Sequence, residues 1–218
     1  MSSPFANHAQ RLAAFEASFI YPVVSSEFCS GVPVPTIIRQ LADNGAKVVQ
    51  LREKNCSDRE LFLLAETCRR ITAEYNMLLF IDDRLDVALA CDADGVHLGQ
   101  DDLPIAAARK LAPELIIGAS THNLEEIIAA QNDGCSYLNI GPIFPTNTKS
   151  VACGALGIEF FNELKKSVRV PFSVMGGIKE HHIAELAALG AKHIAMVTEV
   201  ISKPHLCRLA LWAVAGLA

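Results

Sequence analysis

A corner that recurs along the chain limits what this sequence can fold into. In each copy an amphipathic helical stretch ends near Gly, Asn or Asp, and a short apolar run follows at once. Glycine near a helix C-terminus adopts the left-handed conformation that turns the chain. The corner occurs at residues 44–51, 92–98, 133–140 and 189–197. The repeat predicts helices and strands in alternation.

The apolar runs are typical of strands that are covered on both faces, because they are short and continuous rather than alternating. The predicted strands are residues 19–24, 47–51, 78–81, 95–98, 115–119, 137–140, 172–175 and 193–197. Eight strands that alternate with helices predict an α/β fold, a single (β/α)8 TIM barrel. An open doubly wound sheet is the alternative, but no Gly-x-Gly-x-x-Gly follows the first strand.

Several helices can be read from apolar spacing and capping residues. We predict that Asp58 caps a helix that runs to Tyr75, and that Asn123 caps another. Residues 179–188 and 204–217 are also predicted helices. Residues 1–17 form an N-terminal extension, a short extra helix or turn over the barrel bottom, and residues 18–218 form the catalytic barrel domain.

Composition narrows the class of protein. The 218 residues suit one domain, and the net charge of -5 argues against a nucleic-acid or membrane-surface partner. The seven cysteines are scattered without a Cys-x-x-Cys pair, which is typical of inert thiols in a reducing compartment. No signal peptide is visible, so we expect a cytoplasmic protein. The sequence does not decide between a monomer and a homo-oligomer.

Cations and an amide follow the second predicted strand. In a (β/α)8 barrel the active site lies at the C-terminal ends of the strands. Alternation places Gln50, Arg52 and Lys54 on one side, with Leu51 facing the helices. This arrangement favours anion binding over a solvated loop with a surface Arg52–Glu53 pair.

Acidic pairs follow the third and fourth predicted strands. Asp82-Asp83 and Asp101-Asp102 belong to neighbouring strands, so we expect them to approach each other. Carboxylates beside phosphate-binding cations suggest Mg²⁺, which is held by one or two carboxylates plus substrate phosphates. Helix capping by Asp82 and Asp102 is the alternative. The pattern leaves open which aspartate binds the metal.

Hydroxyls, glycines and a lysine complete the strand ends. Ser120 can donate to a phosphate, whereas His122 has no acidic partner in its motif to orient it as a base. The loop at residues 141–149 presents two threonines and a lysine beside stiff prolines. Gly177 and Thr198, after strands seven and eight, favour a second phosphate site. His97 and Met175 are interpreted as interior packing.

These strand ends define two anion-binding areas, one suited to a diphosphate and one to a monophosphate. The segments resemble the thiamine-phosphate synthase family, in the family's order over about residues 20–202. The matching segments are residues 50–54, 81–84, 94–103, 118–122, 141–149 and 175–178. The resemblance implies coupling of hydroxymethylpyrimidine diphosphate to thiazole phosphate, with dissociative loss of pyrophosphate and Mg²⁺ as cofactor.

The resemblance also implies a role for each matching residue. Asp83 and Asp102 are the implied magnesium ligands, and Arg52, Ser120 and Lys149 are the implied catalytic residues. The residues implied to bind the pyrimidine diphosphate are Gln50, Arg52, Lys54, Asp82, Ser120 and Lys149. Those implied to bind the thiazole phosphate are Thr146, Thr148, Gly177, Val197 and Thr198.

The chain departs from the family pattern at two positions. Asp82 stands where the family usually has Asn, and Thr198-Glu199 where it usually has Ser-Ala.

Two rival functions compete with the synthase. One is a thiazole tautomerase with His122 as its acid/base group, although such an enzyme does not need a diphosphate-binding set. The other is an inactive barrel that binds thiamine precursors, which only the two departures support.

Overall fold

The computed structural model describes residues 2–146 and 154–208. Within these residues eight parallel strands close into a barrel in chain order, with β1 paired to β8. The strands are β1 Ile20–Val24, β2 Val48–Leu51, β3 Leu78–Asp82, β4 Gly95–Leu98, β5 Ile116–Thr121, β6 Tyr137–Ile140, β7 Phe172–Val174 and β8 His193–Met196. The predicted (β/α)8 TIM barrel is confirmed.

Helices surround the barrel, and one helix precedes the first strand. They are α1 His8–Glu16, α2 Val34–Asp43, α3 Asp58–Glu74, α4 Leu85–Ala90, α5 Ile105–Leu111, α6 Leu124–Asn132, α7 Gly157–Leu164, α8 Ile183–Ala188 and α9 Thr198–Ser202. Most of the predicted helix at 204–217 lies outside the described residues. No helix in the described part of the chain has the length and apolar character needed to cross a membrane.

Two helices begin differently from the prediction because of local hydrogen bonding and backbone conformation. The cap of α3 is Ser57 rather than Asp58, because the Ser57 hydroxyl and the Glu60 carboxylate form a reciprocal capping box. The predicted helix at 179–188 begins as a 3₁₀ turn over Glu180–His182 and becomes α-helical only from Ile183. The predicted cap of α6 is confirmed, since the Asn123 side chain accepts from the Glu126 N–H.

The bottom of the barrel is closed by α1. Phe15 on this helix is fully buried and lies 4.5 Å from both the Tyr137 and the His193 rings. Its apolar neighbours include Val48 and Leu78, which begin their strands. Because the N-terminal end is filled in this way, the opposite end of the barrel carries the open cavity.

Candidate active site

A cavity of about 520 Å³ opens at the C-terminal ends of the strands. Its lining includes the predicted site residues Gln50, Arg52, Asp82, Ser120, Thr146, Gly177, Val197 and Thr198. These residues come from β2, β3, β5 and the segments after β2, β6, β7 and β8. The fold therefore collects side chains that are more than a hundred residues apart in the sequence.

The predicted cationic group lies along one wall of the cavity. Gln50 and Arg52 line it, and Leu51 belongs to the outer core, as alternation predicts. The Gln50 amide nitrogen donates to the Tyr21 hydroxyl at 2.8 Å. The Lys54 ammonium lies beside the lining, 2.9 Å from an Asp82 oxygen, and also pairs with Asp83.

Three carboxyl groups converge beside these cations. Burial raises the pKa of Asp82, and repulsion from Asp83 adds to this, while Lys54 and Arg52 oppose it. The pKa of Asp83 is lowered, because hydrogen bonds from Lys54 and Asp102 outweigh the effect of burial. Burial raises the pKa of Asp102, and its hydrogen bond with Asp83 contributes in the same direction. The Asp83 and Asp102 carboxyls are therefore close enough for each to affect the pKa of the other.

Neither Asp82 nor Asp102 caps a helix. Asp82 ends β3, and α4 begins three residues later without a side-chain cap. Asp102 instead accepts a 2.6 Å hydrogen bond from the Gly99 N–H, which closes the turn after β4. The capping alternative is wrong for both residues, and their carboxyls remain at the cavity end of the barrel.

The acidic group contains carboxylates of the kind that bind a metal ion. No cluster of three or more His, Cys, Asp and Glu side chains suited to a metal occurs within residues 2–146 and 154–208. The Asp83–Asp102 pair is nevertheless the donor set expected of a hard cation that takes its remaining ligands from phosphate and water. The residues present thus fit Mg²⁺ bound together with a phosphorylated substrate.

Ser120 is held by a histidine that the sequence interpretation placed in interior packing. His97 lines the cavity, and its Nε2 lies 2.9 Å from the Ser120 hydroxyl. Its Nδ1 lies 2.8 Å from the Tyr137 hydroxyl. The packing interpretation of His97 is therefore incomplete, since both ring nitrogens make hydrogen bonds. Met175 also lines the cavity.

His122 has an acidic partner that lies outside the motif considered in the sequence. Its Nδ1 lies 2.8 Å from a Glu126 carboxylate oxygen, and the same oxygen accepts from the His122 backbone N–H. Glu126 lies in the first turn of α6, one helical turn beyond the motif. The i to i+4 spacing from His122 is the signal that could have identified it.

The loops after β6 and β7 meet at the far wall. Backbone hydrogen bonds join Ile143 to Met175 at 2.8 Å and Phe144 to Gly176 at 3.0 Å. Gly177 has a φ of +63°, and a Cβ on it would lie 2.4 Å from the Pro145 carbonyl oxygen. Only glycine fits this contact. Of the predicted residues of the β6 loop, Thr146 lines the cavity, whereas Thr148 and Lys149 lie outside the described residues.

Glu199 does not act as an unbalanced charge beside Thr198 and Val197. Its carboxylate lies 3.2 Å from the Lys179 ammonium and 3.0 Å from the Lys203 ammonium. Although partial burial opposes ionisation, the two lysines lower the pKa of Glu199. Lys179 itself lines the cavity. The departure at Glu199 is thus neutralised by lysines that come from different segments.

Known proteins are similar to this chain over most of its length. A family model described as thiamine monophosphate synthase matches residues 20–200. The thiamine-phosphate synthase of Shouchella clausii is 39% identical over 184 residues, covering 84% of this chain and 88% of the relative. That of Dictyoglomus turgidum is 38% identical over 201 residues, covering 92% and 90%.

A solved structure agrees with the sequence comparison. Thiamine phosphate pyrophosphorylase from Pyrococcus furiosus superposes with a TM-score of 0.82 at 34% identity, covering 93% of this chain and 98% of that one. The match therefore covers most of the barrel. On these grounds the chain belongs to the thiamine monophosphate synthase family.

Proposed function

We propose that this enzyme condenses hydroxymethylpyrimidine diphosphate with thiazole phosphate, giving thiamine phosphate and pyrophosphate. The observation that carries the proposal is one cavity lined by two chemically different groups of residues, which we assign to a first and a second wall. Arg52 and Ser120 belong to the first group and Gly177 and Thr198 to the second, and all four line the cavity. Two phosphorylated substrates can therefore bind with their reacting atoms between the walls.

The first wall would hold the pyrimidine diphosphate. Gln50 and Asp82 would contact the ring, while Arg52, Lys54, Ser120 and Lys149 would contact the diphosphate. Lys54 is paired with Asp82 and Asp83 in the free enzyme, and these carboxylates raise its pKa although partial burial opposes them. The ammonium group therefore stays charged and can turn to a diphosphate.

Charge stabilisation of the leaving group would drive the reaction. The bond between the pyrimidine methylene carbon and the diphosphate oxygen breaks first, and its electron pair leaves with pyrophosphate. The lone pair of the thiazole nitrogen then forms the new carbon–nitrogen bond. Arg52, Ser120 and Lys149 would be the catalytic residues, since each donates hydrogen bonds to the charge that develops on the departing group.

Asp83 and Asp102 would hold Mg²⁺ with the diphosphate. The two carboxyls are close enough for each to affect the pKa of the other, which supports a shared cation. When bound, the ion supplies positive charge next to the leaving pyrophosphate. Lys54 pairs with Asp83 and helps to lower the pKa of this carboxyl, which favours the ionised form that a cation binds.

The second wall would hold the thiazole phosphate through Thr146, Thr148, Gly177, Val197 and Thr198. The Gly177 backbone lies close to Phe144 and Pro145 of the β6 loop. Gly177 and Thr146 both line the cavity, which supports a shared role in binding this phosphate. The pairing of Glu199 with Lys179 and Lys203 removes a charge that would repel this phosphate.

Pyrophosphate release on mixing both substrates with Mg²⁺ tests the proposal. We expect release with wild-type protein and a large loss in Arg52→Ala. Arg39→Ala is the matched control, because Arg39 pairs with Glu74 on the surface and is about half exposed. Absence of release by wild-type protein that still binds thiazole phosphate would contradict the proposal and favour an inactive precursor-binding barrel.

The His122–Glu126 pair favours a thiazole tautomerase as a second candidate. A carboxylate at Nδ1 leaves Nε2 of a cavity-lining histidine available to move a proton. The test is proton exchange into carboxylated thiazole phosphate in D₂O, without the pyrimidine substrate. Exchange that is lost in His122→Asn would support the tautomerase, and an exchange rate equal to that of the buffer alone would exclude it.

We also propose a cytoplasmic location and the domain division predicted from the sequence, residues 1–17 as an extension and 18–218 as the catalytic barrel. Five of the six cysteines within residues 2–146 and 154–208 are buried, and all six are free, which suits a reducing compartment. A reporter fusion localised by fractionation tests the location. Limited proteolysis between the two segments tests the division.

A further inference from the structure

Five side chains from five strands form a continuous hydrogen-bonded chain through the barrel interior. In order they are Gln50, Tyr21, Tyr137, His97 and Ser120, and each link is 2.8 or 2.9 Å long. Both ends, Gln50 and Ser120, line the cavity. The two tyrosines between them are fully buried. The chain therefore links two substrate-facing groups through the interior of the protein.

The protons available on these five side chains determine which group donates and which accepts in each hydrogen bond. The Gln50 amide nitrogen can only donate, so the Tyr21 oxygen accepts from it. The Tyr21 hydroxyl therefore donates a hydrogen bond to the Tyr137 oxygen, and the Tyr137 hydroxyl donates one to His97 Nδ1. His97 must therefore carry its own proton on Nε2 and donate it to the Ser120 oxygen.

If every hydrogen bond in this series ran in the opposite direction, the buried Tyr21 hydroxyl would donate to a group that cannot accept. If Ser120 donated to His97, then His97 Nδ1 would donate to Tyr137 and Tyr137 to Tyr21. The Tyr21 proton would then point at an amide nitrogen that accepts nothing, inside a fully buried site. Burial also raises the pKa of both tyrosines, so neither hydroxyl loses its proton to relieve the conflict.

We infer that His97 is a positioning residue that fixes the Ser120 hydroxyl as a hydrogen-bond donor toward the departing diphosphate. Because Ser120 accepts from His97, its own proton is directed to the cavity. The Gln50–Tyr21–Tyr137 segment selects the His97 tautomer that makes this possible. The inference rests on the proposed condensation for its catalytic meaning, but its hydrogen-bond geometry is measurable without turnover.

Nitrogen-15 NMR of the wild-type histidines tests the direction of the chain without any variant. The expected result is a protonated Nε2 and an unprotonated Nδ1 for His97. A proton on Nδ1 with a bare Nε2 would overturn the inference. This outcome does not depend on whether the enzyme makes thiamine phosphate, so it separates failure of the inference from failure of the proposed function.

Two substitutions of His97 separate positioning from packing. The amide of Asn reaches about as far as Nδ1, and that of Gln about as far as Nε2, so only His97→Gln keeps a donor for Ser120. We expect His97→Asn to weaken binding of inorganic pyrophosphate with Mg²⁺ by about tenfold and His97→Gln by less than about threefold. Equal weakening in both variants would overturn the positioning role.

A double-mutant cycle with Ser120→Ala tests whether His97 acts through Ser120. His97→Asn should lower kcat by about 10- to 100-fold in the wild-type background, below the loss for deleting a donor outright. The KM for thiazole phosphate should change little. In the Ser120→Ala background the same substitution should have almost no further effect. An undiminished effect there would overturn the inference.

The two tyrosines provide a matched pair of isosteric changes. Tyr137→Phe removes the group that donates to His97 Nδ1, whereas Tyr21→Phe leaves that bond in place. Pyrophosphate binding should therefore fall more in Tyr137→Phe than in Tyr21→Phe. Inorganic pyrophosphate has no pyrimidine ring, so a displacement of Gln50 should not alter its binding. A larger loss in Tyr21→Phe would contradict the chain.

Discussion

Replacing Gly177 with alanine tests how the β6 and β7 loops are joined at the proposed thiazole phosphate site. The new Cβ would lie 2.4 Å from the Pro145 carbonyl oxygen and 2.8 Å from that of Phe144. Both contacts are with backbone, so no side-chain rotation relieves them. The φ of +63° is also unfavourable for alanine. The substitution must push apart the β6 and β7 loops, which together form the proposed thiazole phosphate site.

Gly190 offers a control that separates backbone strain from contact. It has a φ of +90°, but a Cβ on it would meet nothing within 4 Å. Gly190→Ala should therefore cost about 1–2 kcal/mol in free energy of unfolding from the left-handed conformation alone. Gly177→Ala should add about 1–3 kcal/mol of overpacking, for about 2–5 kcal/mol in total.

Urea unfolding of both variants measures this difference, and steady-state kinetics measures its effect on the site. We expect a lower denaturation midpoint for Gly177→Ala than for Gly190→Ala at the same m-value. The KM for thiazole phosphate should rise only in Gly177→Ala. If the two variants were equally stable and Gly177→Ala kept a wild-type KM, the described approach of the two loops would be wrong.

Three further predictions concern charge. Asp83→Asn removes the charge of a proposed Mg²⁺ ligand, and Asn tolerates the φ of +61° at this position. The Mg²⁺ concentration for half-maximal pyrophosphate release should therefore rise about tenfold. An unchanged concentration would exclude Asp83 as a ligand. Asp82→Asn removes the carboxylate that pairs with Lys54, so the KM for the pyrimidine diphosphate should fall about 3- to 10-fold; a higher KM would show that the carboxylate itself is needed. Burial lowers the pKa of His193 to about 4. Between pH 6.5 and about 4 the unfolded chain therefore binds a proton that the folded protein does not. The free energy of unfolding should fall by about 1.4 kcal/mol for each pH unit in this range. Urea unfolding at pH 7 and pH 5 should show this loss in wild-type protein and not in His193→Asn; equal losses would refute it.

The barrel was predictable because its signals are local. Each strand is a short apolar run, and the corners that precede several of them contain their own turn residues, such as Gly45 and Gly190 with positive φ. The side-chain period of two placed Gln50 and Arg52 in the cavity and Leu51 in the outer core. These outcomes depend on neighbouring residues in the sequence, which a single chain displays directly.

The missed features depend on contacts between distant segments. Tyr21 and Tyr137 are 116 positions apart, and each alone has the pattern of ordinary interior packing. Glu199 was an isolated acidic departure until the fold brought Lys179 beside it. No local pattern encodes these distances, so the sequence predicted several residues that line the cavity without showing which of them are in contact.

Phosphorus-31 NMR of one reaction mixture tests the central claim most directly, because it follows both phosphorylated substrates and both products together. With wild-type protein, Mg²⁺, hydroxymethylpyrimidine diphosphate and thiazole phosphate, the account predicts that thiamine phosphate and pyrophosphate appear in equal amounts, and that neither appears when the protein is omitted. Unchanged substrate signals in the presence of folded protein that binds both substrates would contradict it.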